Sequence, residues 1–396
     1  MIYIHIPFCR SFCTYCDFYS EVAAKCRKAE DQERQQELFK KFGEALAVEL
    51  QQRREEISDE VNTLYIGGGT PSVLPLSVFG HLLDALRSCG HGGPYDEFTV
   101  EVNPEDIVEK GHEYVEGLLK LGVNRVSMGV QSFDDGILKW MNRRHDSSTA
   151  RKAYAILEEA GVCNISIDLI FGLSQLSGSQ WRDTLAKALD ISSKGMLPQH
   201  ISSYQISVEP GSALARLVAK GLWNEASDEV CAEQYSVLCD TFADAGYNHY
   251  EISNFALPGY EARHNSAYWR HVPYVGLGPG AHSCMVSGTA SDHEDGVSRQ
   301  WNDSDLNAYL EAAGKGDFAS VRDNEVLTRD QYVMEHIMLA LRTSQGVGYD
   351  YLERNCDAEA LARAFAAGDL VRLSAGNVRI PEDRFFVSDS IIADLV

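Results

Sequence analysis

Short β-like runs alternate with longer amphipathic stretches through roughly the first two hundred residues. Ile2–Ile6 reads as a strand, and Leu38–Ile57 follows with Leu38, Phe42, Leu46, Val48 and Leu50 in a mainly helical rhythm. Thr63–Ile66 is a second strand, ended sharply by Gly67-Gly68-Gly69. Further strands are predicted at Phe98–Val102, Arg125–Val130, Asn164–Ile170 and His200–Val208. Helix-like segments lie between them, near Pro75–Ser88, His112–Leu121, Ser147–Ala160 and Ser179–Ser193. Strand alternating with helix in this way predicts an α/β fold with a parallel sheet and crossover helices. The pattern fits an open doubly wound sheet or a barrel.

The polar positions on those strands separate the two. Phe98, Val100 and Val102 form one face and turn Glu101 to the other. Val126, Met128 and Val130 leave Ser127, Gly129 and Gln131 opposite, and Ile165, Ile167 and Leu169 leave Ser166 and Asp168 opposite. Glu101, Gln131 and Asp168 thus stand late on their strands, on the less apolar face. In a barrel that is the inner face at the C-terminal rim, where active sites are built. Any one of them alone reads as a satisfied polar residue at a strand end; three in register predict a shared site.

Beyond His200–Val208 the character changes. Ser227–Ala245 reads as a helix, His249–Ser283 is dense in aromatics, His and Gly, and Ser287–Ser304 is polar and glycine-rich. Helical periodicity returns at Tyr332–Leu341 and Ala358–Ala366, followed by β-like runs at Leu370–Leu373 and Val378–Ile380 and a short helix at Ile391–Val396. This predicts a barrel domain with its extension over residues 1–283 and a smaller, mostly helical, winged-helix-like domain over 284–396.

Composition narrows the function classes. The chain has 396 residues, 44% hydrophobic and 23% charged, enough for two ordinary globular cores. No apolar run reaches the length of a membrane span, and the N-terminus lacks a signal-peptide pattern, so a cytoplasmic protein is expected. A formal net charge of −23 argues against nucleic acid as a partner. The mixed charge run between Lys25 and Arg54 reads as a solvated helix face. Seven of the ten cysteines (Cys26, Cys89, Cys163, Cys231, Cys239, Cys284, Cys356) are scattered without shared spacing, as incidental thiols in a reducing compartment would be.

The other three, Cys9, Cys13 and Cys16, share one short loop after the first strand. Thiolates suit zinc or iron–sulfur clusters. Structural zinc wants a fourth ligand, usually from a second C-x-x-C unit. The chain has no second unit, and only His5 or Asp17 stands near enough in sequence to complete the set. Three thiolates suit a four-iron four-sulfur (4Fe-4S) cluster with one iron left open, which the amino and carboxylate groups of S-adenosylmethionine (SAM) can chelate.

The Cys9, Cys13, Cys16 spacing, with Tyr15 before the last cysteine, resembles the radical SAM signature, and Tyr65–Ser72 (YIGGGTPS) resembles its glycine-rich second motif. Over nearly the whole chain the resemblance is to the oxygen-independent coproporphyrinogen III oxidase family, closest to its haem chaperone (HemW-type) branch. It rests on YIHIPFC, GGGTPS, EVNPED, RVSMGVQSF, NRRH and SIDLIFGL. The resemblance implies a partial (β/α)6 radical SAM barrel. It places Tyr3 near the cluster and Gly68, Gly69 and Thr70 at the methionyl end of SAM. Glu101, Gln131, Arg143 and Asp168 would then meet the methionine and ribose portions.

Members that decarboxylate coproporphyrinogen carry a fourth cysteine two positions past the third, and an extended segment before the first strand. Here Asp17-Phe18 follows Cys16 and the chain begins at the strand. His264-Asn265-x-x-Tyr268-Trp269 resembles a motif of the chaperone branch linked to haem, which makes His264 a candidate iron ligand; His249, His271 and His282 are rivals. The same residues also read as packing between the two domains. Where the family commonly has Pro-Gly after its fifth strand, Gly172-Leu173 here leads into Ser174-Gln175. The function expected is a haem chaperone that binds haem as cargo and delivers it to acceptor haemoproteins. The alternatives are coproporphyrinogen III oxidation and radical SAM methyl transfer to haem.

Overall fold

The computed structural model describes residues 1–22, 29–58, 60–286 and 296–396. Lys25 and Cys26, and the start of the polar stretch from Ser287, fall outside the described residues. A nine-stranded sheet dominates the fold. Its parallel part runs in the order Val275–Leu277, Ile2–Ile6, Thr63–Gly68, Glu97–Val102, Arg125–Gln131, Ile165–Phe171, His200–Gln205. Asn254–Ala256 and Asn248–Glu251 add an antiparallel pair at the far edge. From Ile2 to Gln205 the strands follow chain order without reversal. A doubly wound sheet reverses its order at a switch point, and this one does not. The architecture is a partial barrel, whose edge strands are not paired with each other.

The crossover helices Leu76–Ser88, Pro104–Lys120, Ser147–Ala160 and Gly178–Leu189 cover the outer face. Their ends are written locally. The Asp146 carboxylate accepts from the Thr149 amide at 2.8 Å, and Ser177 and Gln180 form a reciprocal capping box. Pro104–Lys120 is longer than the periodicity over His112–Leu121 predicts, and it is interrupted at Gly111 (φ 67°).

Beneath the helices lie Ile4, Ile66, Val100, Met128, Ile167 and Ile201, all buried. The alternate positions face inward and are mostly polar. Tyr3, Tyr65, Thr99 and Arg125 stand in one row across four neighbouring strands, and Glu101, Ser127, Ser166 and His200 in another. Barrel interiors are usually filled by branched apolar side chains. A polar lumen leaves a chamber for a ligand.

After the barrel, His282–Val286, Val297–Asn302 and Arg322–Val326 form a three-stranded antiparallel sheet that the sequence reading did not anticipate. The helices Arg329–Leu341, Tyr349–Asn355 and Ala358–Ala367 then combine with three short strands (Val347–Gly348, Val371–Arg372, Asn377–Arg379) in winged-helix order. Residue 283 falls inside a strand, and one apolar core runs from Ile2 to Leu395.

The helix Ala29–Arg53 departs from expectation. Its charged face is not wholly solvated, because Glu49 and Arg53 are 0% and 2% exposed. That face packs on Leu306–Lys315 and on Val275–Leu277. No helix among the described residues is long and apolar enough to cross a membrane.

Candidate cofactor site

A cavity of about 330 Å³ opens at the C-terminal rim of the barrel. Cys9, Cys13, Cys16, Tyr15, Gly68, Gly69, Thr70, Glu101, Gln131, Arg143 and Asp168 all line it, although they come from six separate segments. Tyr3 and His264 do not.

The glycine motif is shaped by what approaches it. Gly68 has φ 106°, and a Cβ there would lie 2.7 Å from the His5 ring. A Cβ on Gly69 would lie 2.8 Å from the Phe8 carbonyl oxygen and 3.1 Å from Cys9 Sγ. The cysteine loop therefore sits directly on this turn. Gln131 is held in the left-handed region (φ 68°), where the pairing register shifts past Gly129. Such a bulge re-aims a side chain at the cost of backbone strain.

A hydrogen-bonded chain joins two of the thiols. Arg143 Nη1 donates to Cys13 Sγ (3.4 Å), and its Nη2 donates to Asn103 Oδ1 and to the Gly129 carbonyl (2.7 Å each). Asn103 Nδ2 donates to Thr70 Oγ1 (3.2 Å), which lies 3.3 Å from Cys9 Sγ. Asn103 and Gly129 offer the Arg143 guanidinium uncharged acceptors, its Nε has no partner, and the Glu105 carboxylate lies within electrostatic reach. A buried cation that already bonds the Cys13 sulfur can support negative charge there. Burial raises the pKa of Cys9 and pushes that of Cys16 up to about 12. Among the described residues no three His, Cys, Asp or Glu converge tightly enough for a single metal ion. Thiols that ring a chamber, with a cation behind one of them, fit a multi-iron cluster.

Deeper in the lumen two carboxyls face each other's field. Glu101 accepts from the Tyr65 hydroxyl (2.7 Å) and the Gly68 amide (3.1 Å). Burial outweighs those bonds and, with nearby Asp168, pushes its pKa up to about 7. Asp168 accepts from Ser127 Oγ (3.2 Å); burial raises it to about 6 against the opposing pull of Arg125. This pocket of carboxyls and hydroxyls suits a cationic, polyhydroxylated ligand. Arg125 and Asn103 were missed in the sequence. Arg125 shares the parity of Ser127 and Gly129 and faces the lumen with them, one strand length below the rim. Asn103 lies one residue past its strand, where alternation no longer applies.

Tyr3 stands one layer back. Its hydroxyl donates to His5 Nδ1 (3.1 Å), because His5 Nε2 must carry the proton it gives to the Tyr19 carbonyl (2.8 Å). His264 lies at the opposite end of the barrel. The helix Arg263–Trp269 enters there, and its first two amides are held by the Glu97 carboxylate at 2.7 and 3.1 Å. The His264 ring is fully buried, with Nδ1 at 2.8 Å from Thr63 Oγ1 and Nε2 at 2.9 Å from the Tyr268 hydroxyl. Both ring nitrogens are engaged, so neither is free for an iron in this arrangement. The ring is packed within the barrel, against Thr63 and Tyr268, and not between the two expected domains.

The Radical SAM superfamily pattern matches residues 3–188. A protein named heme chaperone HemW from Lactococcus lactis is 34% identical over 346 residues, 87% of this chain and 82% of that protein. Its namesake in Bacillus subtilis is 31% identical over 347 residues, covering 87% and 84%. Among solved structures, the Escherichia coli coproporphyrinogen III oxidase (HemN), a radical SAM enzyme, aligns with TM-score 0.77 at 21% identity, covering 99% of this chain and 89% of that one. That likeness speaks for the fold. Membership of the superfamily implies a 4Fe-4S cluster and SAM, which the three thiols and the polar lumen beside them fit. The chain belongs to the radical SAM superfamily and, within it, to the family of the HemW haem chaperones.

Proposed function

We propose that this chain is a cytoplasmic haem chaperone, which binds haem and passes it to acceptor haemoproteins. The 4Fe-4S cluster is held by Cys9, Cys13 and Cys16. SAM lies beside it, against Gly68, Gly69, Thr70, Glu101, Gln131, Arg143 and Asp168, with Tyr15 in the cavity wall. Tyr3 supports the site through His5. The barrel and its extension carry these cofactors, and the winged-helix-like part follows them in the chain. The observation that carries the reading is similarity over 87% of the chain to proteins named as haem chaperones. The lack of a cysteine two positions past Cys16 agrees with it. The bound pair would supply reductive cleavage of SAM; the chain's own residues bind, orient and exclude water.

Anaerobic reconstitution with iron and sulfide, then titration with haem and incubation with coproporphyrinogen and SAM, tests the proposal. The expected result is a brown protein that takes up haem and leaves coproporphyrinogen unchanged. Formation of protoporphyrinogen would mean an oxidase, and methylated haem products a methyltransferase; either would displace the chaperone reading.

The two lumen carboxyls give a pH prediction. Their folded pKa values, about 7 for Glu101 and about 6 for Asp168, lie above the ordinary 4.5 and 3.8. Their contribution to stability is therefore full at acid pH and is lost as pH rises through 6 to 7. A cationic ligand recovers that loss by pairing with the ionised carboxyls. SAM is expected to bind about tenfold tighter at pH 8 than at pH 5.5, with the dependence flattened in Glu101→Gln. Calorimetric titration across that range checks this, and an affinity that is flat or falls with pH would contradict it.

A further inference from the structure

The four histidines between residues 249 and 282 differ sharply in their surroundings. His264 has both nitrogens bonded. His249 is buried, with its ring stacked on Phe255 at 4.2 Å and Nε2 near the Tyr235 hydroxyl and the Ile252 carbonyl. His271 is stacked under Tyr332 and lies 3.6 Å from the Glu335 carboxylate. His282 alone of the four is exposed.

Its setting is more than a surface position. His282 opens the strand His282–Val286, directly opposite Trp301, and the two rings stack at 6.1 Å with planes 25° apart. The indole thus fixes the orientation of the imidazole. Arg299, two residues before Trp301 on the same strand face, keeps 43% of its side chain exposed while pairing with Glu335. Partial burial, with Arg299 nearby, lowers the His282 pKa below the usual histidine value and favours the neutral, ligating ring. His282 also lies within electrostatic reach of His5, whose ring abuts Gly68 in the cavity wall. A ligand held here would sit at the barrel's edge, beside the cofactor chamber.

Resting on the haem-binding function proposed above, we infer that His282 is the axial ligand to the haem iron, its ring oriented by Trp301, with Arg299 available to a propionate. An exposed imidazole backed by an indole, with a cation on the same strand face, suits the iron and a carboxylate of haem.

The test uses the full-length, cluster-loaded chain titrated with ferric haem and followed by the Soret band. His282→Ala is expected to weaken binding about tenfold or more and to shift the band, with added imidazole restoring it. His282→Met keeps the side-chain bulk and is expected to give the altered band of thioether ligation. His81→Ala, at an exposed histidine on the outer helix Leu76–Ser88, should leave band and affinity unchanged. Circular dichroism confirms that each variant is folded. A His282→Ala protein with the wild-type band and affinity overturns the assignment and leaves haem binding intact, as does loss of the band in folded His264→Ala alone. Wild-type protein that takes up no haem overturns the proposed function, and this assignment with it.

Discussion

Cys13→Ala is expected to leave the reconstituted protein colourless, with iron and sulfide close to zero. On the proposed assignment three thiols supply every protein ligand of the cluster, so the loss of one would leave two irons open. The surroundings sharpen the expectation. The guanidinium of Arg143 donates to Cys13 Sγ at 3.4 Å, which prepares that sulfur for negative charge. Arg143→Met removes that preparation while preserving much of the volume. It is expected to lower cluster retention about 10- to 100-fold, the usual cost of losing a group that supports a metal ligand. Cys163→Ala, at an exposed cysteine, should reconstitute fully. Iron and sulfide assays with visible spectra after anaerobic reconstitution decide the matter, and a Cys13→Ala protein with full iron would refute the assignment.

The parallel sheet was legible because each of its long strands carries a two-residue alternation with a different chemistry on each face. Val126, Met128 and Val130 against Ser127, Gly129 and Gln131 is such a case: the apolar set is covered by helices and the polar set lines the lumen. Alternation in a helix-covered parallel strand is itself informative, since a strand buried in apolar surroundings on both sides reads as a continuous hydrophobic run. The same logic placed Glu101, Gln131 and Asp168 around one cavity.

Asn248–Glu251, Asn254–Ala256 and Val275–Leu277 were not legible. Strands of three or four residues are too short to show a period, and they occur among aromatics and glycines that also suit loops. His264 marks a different limit. A histidine beside tyrosine and tryptophan has the same sequence signature whether it binds a ligand or closes the floor of a barrel. Only the bonds to Thr63 and Tyr268 distinguish the two.

Glu49→Ala is expected to destabilise the protein by about 3–5 kcal/mol, the range for uncovering one side of a buried, hydrogen-bonded charge. Read along the sequence, Glu49 is one acidic residue among many on a polar helix. In the structure its carboxylate is fully buried and accepts four bonds: from the Gly278 amide (2.9 Å), the Tyr309 hydroxyl (2.6 Å), Asn302 Nδ2 (2.7 Å) and Arg322 Nη2 (2.7 Å). Arg53 adds a second guanidinium 3.9 Å away. The four donors come from residues 278 to 322, so one side chain ties the first long helix to the turn after the last barrel strand and to the sheet that carries His282. Removing it takes the carboxylate partner from Arg322 and strands several donors, while Arg53 keeps its bonds to Glu56. Glu49→Gln keeps the shape but turns an amide N–H toward groups that themselves donate, so it should recover only part of the loss. Denaturant unfolding of the three proteins measures these values. A double-mutant cycle with Arg322→Met should return a coupling of about 0.5–3 kcal/mol. If Glu49→Ala costs less than about 1 kcal/mol, the carboxylate is no more than an ordinary surface pair and does not tie the two regions together.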